Sequence, residues 1–178
     1  MKGIVFAEFL EMVEDQFGFE VADDIVTNSD LPSGGAYTAV GAYDHQEMVT
    51  LVSNLSQKTD IAVPDLLKAF GKYLFNRFTV GYGAFFKDVP SAMDFLSGIE
   101  NHIHVEVKKL YPDAELPRFE IHRPDSNQME MVYRSERGLA DLAEGLLNGC
   151  IEYFDESISL HREDIQGTFE TRFSLIKS

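Results

Sequence analysis

Two hydrophobic periods meet at Pro117. Upstream of it apolar residues recur at helical spacing; downstream they alternate with polar ones. A chain with both periods must pack helices against a sheet, because each amphipathic face needs a partner that buries it. In residues 1–17, Phe6, Phe9, Leu10, Val13 and Phe17 form one stripe, and Gly18 is a natural stop. A short helix is expected near residues 20–28. Asp44, with Glu47 three residues on, marks the start of the next, whose core face is Met48, Leu51, Val52 and Leu55. Pro64 suits the first residue of a further helix carrying Leu67, Phe70, Leu74 and Phe78. Ser91 and Asp94 open another, expected to run unbroken to Pro112 with Met93, Leu96, Ile99, Ile103, Val107 and Leu110 on one face.

Beyond Pro117, residues 118–122 and 128–134 predict two strands joined by the turn "RPDSN". Residues 138–150 predict a helix with Leu139, Leu142, Leu146 and Leu147 available for packing. Ile158 and Leu160, then Phe169, Thr171, Phe173 and Leu175, predict two more strands joined near Gly167. The expected fold is α+β: a helical N-terminal part plus a C-terminal, mostly antiparallel four-stranded sheet with an inserted helix. No repeat or low-complexity tract divides the 178 residues, so a single domain over 1–178 is expected.

The net charge of −15 argues against a nucleic-acid partner, which needs a basic face, and against an anionic membrane surface. No apolar run approaches the roughly 18 residues of a membrane span. Glu8 interrupts the N-terminal apolar run, which excludes a signal peptide. The one cysteine, Cys150, makes neither an intrachain disulfide nor a Cys-rich zinc site, so a cytoplasmic protein is expected. Nucleophile, phosphate-loop and metalloprotease motifs are missing, and the chain does not read as an enzyme.

The stretch "YRSERGL" places Tyr133, Ser135 and Arg137 at alternate positions. On an extended strand they would share a face and offer a row of donors to a carboxylate or phosphate; the same row also suits a solvated strand face. His102 and His104 lie about 200° apart on a helix and cannot chelate one metal together. His104 sits beside the apolar stripe and could serve alone as a ligand or as an ordinary surface or structural histidine.

With "HVEVKKLYPDAELP" upstream and "MKGIVFAEFLEMVEDQFG" at the start, "YRSERGL" resembles the haem-nitric oxide/oxygen binding (H-NOX) family over essentially the whole chain. The resemblance implies haem b as cofactor, with His104 as the single axial iron ligand. It implies that Tyr133, Ser135 and Arg137 hold the haem propionates, and that Ile4 and Pro117 press on the haem and keep it non-planar. The same match assigns Ile4, Phe9, Leu74, Phe78, Leu142 and Leu146 to the distal lining.

Oxygen-binding members carry a distal Tyr at the position of Leu142, where a donor would stabilise the negative charge that builds on dioxygen. An apolar residue there implies a sensor that binds nitric oxide and carbon monoxide at ferrous haem and excludes dioxygen. Tyr73 and Tyr82 remain as donors that could reach the pocket. Without an output domain, such a sensor is expected to regulate a separate partner, a histidine kinase or a diguanylate cyclase. The alternatives are an oxygen-binding or redox-sensing haem protein, or a haem-free interaction module of the same fold.

Overall fold

The computed structural model describes residues 1–178 and contains seven α-helices and one four-stranded sheet. Helix α1 (Gly3–Phe17) buries Phe6, Phe9, Met12 and Val13 and stops at Gly18, whose φ of 91° L side chains rarely adopt. The same glycine opens α2 (Phe19–Thr27). Helix α3 (His45–Thr59) is capped by the Asp44 side chain, which accepts from the Gln46 N–H at 2.9 Å, and it buries the four residues expected of it. Glu47 does not complete the cap. It is buried and accepts from the Ser33 N–H (3.2 Å), the Ser33 hydroxyl (2.5 Å) and the Tyr37 hydroxyl (2.7 Å), pinning the loop between α2 and α3. Tyr37 in turn stacks on Phe6 at 4.3 Å.

Helix α4 (Val63–Gly81) starts one residue before Pro64 and is followed by a 3-10 turn at Gly83–Phe85. The helix expected over residues 91–111 is not continuous. The Ser91 hydroxyl caps α5 (Ala92–Ser97), a π-helical turn spans Ile99–Ile103, and α6 (His104–Leu110) follows. The Gly98 carbonyl accepts from both the His102 and Ile103 N–H groups, which is how the extra residue is absorbed.

Strands β1 (Arg118–His122), β2 (Gln128–Arg134), β3 (Ile158–Ile165) and β4 (Glu170–Lys177) form an antiparallel sheet in the order β1-β2-β4-β3. Helix α7 (Ala140–Tyr153) lies between β2 and β3 in sequence. Met129, Met131 and Tyr133 on β2 and Thr171, Phe173 and Leu175 on β4 are buried, as alternation requires. Phe169 departs from the pattern. It precedes β4 in the turn and is 65% exposed.

Two hydrophobic cores result. One joins α1 to α4, and the other lies among the sheet, α5, α7 and part of α4. They meet where α4 crosses α7. A Cβ on Gly71 would lie 2.3 Å from the Leu142 carbonyl oxygen, and one on Gly145 would lie 2.2 Å from that of Lys68. Gly149 faces Phe75 in the same way, at 2.8 Å. The two backbones touch, and only glycine fits between them. Gly145→Ala should therefore force the helices apart and cost about 1–3 kcal/mol. Thermal unfolding would show this as a fall in Tm of about 2–4 °C per kcal/mol. Gly81→Ala, at a helical position with nothing within 4 Å, should leave Tm unchanged or raised.

Candidate cofactor site

A cavity of about 310 Å³ is lined by 31 residues drawn from both cores, 25 of them hydrophobic. Its size and lining are those of a small-molecule site. The wall from α1, α4 and α7 carries Ile4, Leu74, Phe78, Leu142 and Leu146. The opposite contribution comes from the π turn and α6, with Ile99, Ile103 and Val107. That stripe was expected to be core, yet none of these residues is fully buried. They face the cavity instead, so an apolar surface is held ready for a flat or bulky apolar guest.

Six lining residues are not hydrophobic: Lys2, His104, Glu115, Pro117, Ser135 and Arg137. His104 is the one imidazole of the lining, with its side chain 17% exposed. Burial holds the imidazole below its ordinary pKa, against the opposing pull of the Glu100 carboxylate. A histidine kept neutral has a lone pair to give to a metal. His102 is exposed and outside the lining, its ring edge-on to Phe85 at 6.2 Å.

Tyr133, Ser135 and Arg137 all line the cavity, but they do not form a row on a strand. β2 ends at Arg134, and Arg137 sits in a turn that Gly138 closes with φ +66°. The turn rests on the Ser135 hydroxyl, which accepts from the Arg137 N–H at 3.3 Å. The Arg137 guanidinium donates to the Glu115 carbonyl (3.2 Å) and to its carboxylate (2.6 Å). That carboxylate is 83% exposed, so the pair is worth little and an entering anion can replace it. Burial pushes the Tyr133 phenol up, against the opposing effects of Ser135 and Arg137, and keeps it a donor.

Phe9, expected on the apolar wall, does not line the cavity. It lies about 140° around α1 from Ile4 and packs edge-on against Phe70 at 5.1 Å inside the helical core. Tyr73 also faces elsewhere, donating to Asp15 at 2.9 Å. Tyr82 does line the cavity. Its hydroxyl lies 3.3 Å from that of Tyr111, an interaction that with burial raises its pKa to about 12.

Sequence reading passed over Lys2, which donates to Asp113 at 2.9 Å and so joins the N-terminus to the segment after α6. It also passed over Gly71, Gly145 and Gly149. The small-residue spacing in "GLLNG" is a signal that could have found the last two.

The residues present suit a haem: one neutral imidazole, a broad apolar enclosure, and hydroxyl and guanidinium donors for two carboxylates. The comparisons agree. A family model described as "Haem-NO-binding" matches residues 2–162. No curated protein matches the chain. Among solved structures, the Fe(II) unliganded H-NOX protein from K. algicida is 41% identical, with a TM-score of 0.94, covering 100% of this chain and 97% of that one. An H-NOX from Shewanella woodyi, solved bound to IWP-051 in the Fe(II)CO ligation state, is 40% identical, with a TM-score of 0.86, covering 100% of this chain and 95% of that one. The S. oneidensis H-NOX protein in the Fe(II)NO ligation state is 28% identical, with a TM-score of 0.92, covering 100% of this chain and 99% of that one. The fold, the lining of the cavity and these likenesses converge: the chain belongs to the haem-NO-binding, or H-NOX, family of haem-binding gas-sensor domains.

Proposed function

We propose that the whole chain, 1–178, is a single H-NOX domain that binds haem b through His104, takes nitric oxide and carbon monoxide in the ferrous state, excludes dioxygen and regulates a separate signalling partner. The observation that carries this reading is one apolar cavity whose lining brings together His104, Tyr133, Ser135 and Arg137. Haem supplies the iron at which a diatomic gas binds.

The chain's own residues do the rest. His104 offers its nitrogen from the α6 wall. Arg137, Ser135 and Tyr133 hold the propionates, with Arg137 exchanging the exposed Glu115 carboxylate for them. Ile4 and Pro117, both in the lining, bear on the cofactor from α1 and from the start of β1. Leu74, Phe78, Leu142 and Leu146 present no hydrogen-bond donor. A ligand that gathers negative charge on its outer atom would gain roughly 1.5–3 kcal/mol from a donor. Without one, the wall favours the less polar nitric oxide and carbon monoxide. No helix is long and apolar enough to cross a membrane. The acidic surface suits a partner with a basic face, such as a histidine kinase or a diguanylate cyclase.

Absorption spectra test the reading. Reduced, haem-loaded protein should change its spectrum with nitric oxide and with carbon monoxide, and keep it unchanged in air. Tyr82 is the hydroxyl that could favour the oxygen-binding alternative. A spectrum that changes in air in the wild type, and no longer does in Tyr82→Phe, would establish that alternative instead.

His104→Gly should purify poor in haem and regain it when imidazole is added, whereas His102→Ala should keep its haem. Arg137→Ala should weaken haem binding about ten- to a hundredfold, the worth of a charged hydrogen bond. Transfer of haem to a scavenging protein measures it, and an unchanged transfer rate would show that Arg137 does not hold the cofactor.

A further inference from the structure

The Glu100 carboxylate stands at a junction. Its Oε1 lies 3.0 Å from His104 Nδ1 and accepts from the Phe119 backbone N–H at 2.9 Å. It belongs to the π turn, four residues before His104, while Phe119 is on β1. Glu100 lines no part of the cavity, but both residues it contacts do.

We infer that Glu100 is a positioning residue for the iron ligand, an inference that rests on the assignment of His104. A carboxylate oxygen accepts, so the 3.0 Å contact favours the tautomer that carries its proton on Nδ1. The lone pair of the neutral ring is then on Nε2, and Nε2 is the atom offered to the metal. The contact also restrains the ring about its side-chain torsions. It lends the imidazole anionic character, which strengthens its bond to a metal. Because the same oxygen holds the Phe119 N–H, the ligand is tied to β1 as well as to its own helix. A ring that shifted in its site would stay in contact with Glu100. Through the Phe119 N–H, such a shift would be felt at the strand that begins just after Pro117.

The π turn supports the inference. Wide turns of this kind are frequent at functional sites. Here the turn sets both the carboxylate and the imidazole on the side facing β1.

The test uses Glu100→Gln and Glu100→Leu in the full chain. The amide oxygen of Gln can still accept from Phe119, so that variant should fold as the wild type does, and thermal unfolding checks it. In reduced, haem-loaded protein, the iron–histidine stretching frequency read by resonance Raman should fall in the order wild type, Gln, Leu. Haem loss should quicken about 10–100-fold in Glu100→Leu, the usual cost of removing such an outer partner. In haem-free protein at alkaline pH, nitrogen NMR should show His104 protonated at Nδ1 in the wild type and shifted toward Nε2 in Glu100→Leu. A merely structural role would change Tm or haem loss but leave the stretching frequency in place. One frequency across the series overturns the role of Glu100 and leaves the haem reading standing. Wild-type protein that takes up no haem overturns both.

Discussion

Helices α4 and α7 touch backbone to backbone at Gly71 and Gly145. This contact sets how far apart the two cores can lie. On one side α4 sends Phe70 and Leu74 into the helical core; on the other it sends Phe75 into the core against the sheet. Gly149 seats Phe75 against α7. With this distance set, Leu142 and Leu146 of α7 stand beside Leu74 and Phe78 of α4 as one apolar wall. Larger residues at the crossing would push the wall back and change the volume it encloses. Interiors are packed densely enough that a single added methyl group is felt.

The cavity is held open by what surrounds it. Lys2 with Asp113, Tyr82 with Tyr111, and Arg137 with Glu115 each join segments far apart in sequence. Two of these pairs are ion pairs with an exposed partner, which contribute little to stability and exchange easily. A site closed by weak polar contacts around an apolar interior can admit a large apolar guest without unfolding. Lys2 and Arg137 are the two cations of the lining.

The first helix enters the same arrangement from its end. The Gly3 and Ile4 N–H groups are taken by the Gly41 and Ala39 carbonyls. The Tyr43 carbonyl accepts from the terminal amine of Met1 at 2.7 Å. The loop carrying those carbonyls is fastened to α3 by the buried Glu47. Ile4 thus faces the cavity from a helix start bonded to an exposed loop.

The sequence by itself determined most of the elements. The change of period at Pro117, the caps at Asp44 and Ser91 and the glycines at 18 and 167 are local signals, and local geometry obeys them; the break in the helix expected over residues 91–111, and the turn at Gly138 ahead of a helix that starts only at Ala140, carried no such signal. Tyr133, Ser135, Arg137 and His104 stood out only through the family resemblance, because their spacing alone suits a solvated strand face or an ordinary histidine equally well; it is the structure that sets all four around one cavity. The tertiary structure alone decided which faces meet a cavity and which meet a core. Ile4 and Phe9 share one helix, yet only Ile4 reaches the site, because α4 brings Phe70 to Phe9. Arg137 reaches it from a turn rather than a strand, because β2 ends early. The π turn, with its carbonyl shared by two donors, gave Glu100 its place between His104 and Phe119. Such placements depend on elements far apart in the chain. A pattern within one segment records how its side chains are spaced, but what each will touch is fixed by the packing of the others.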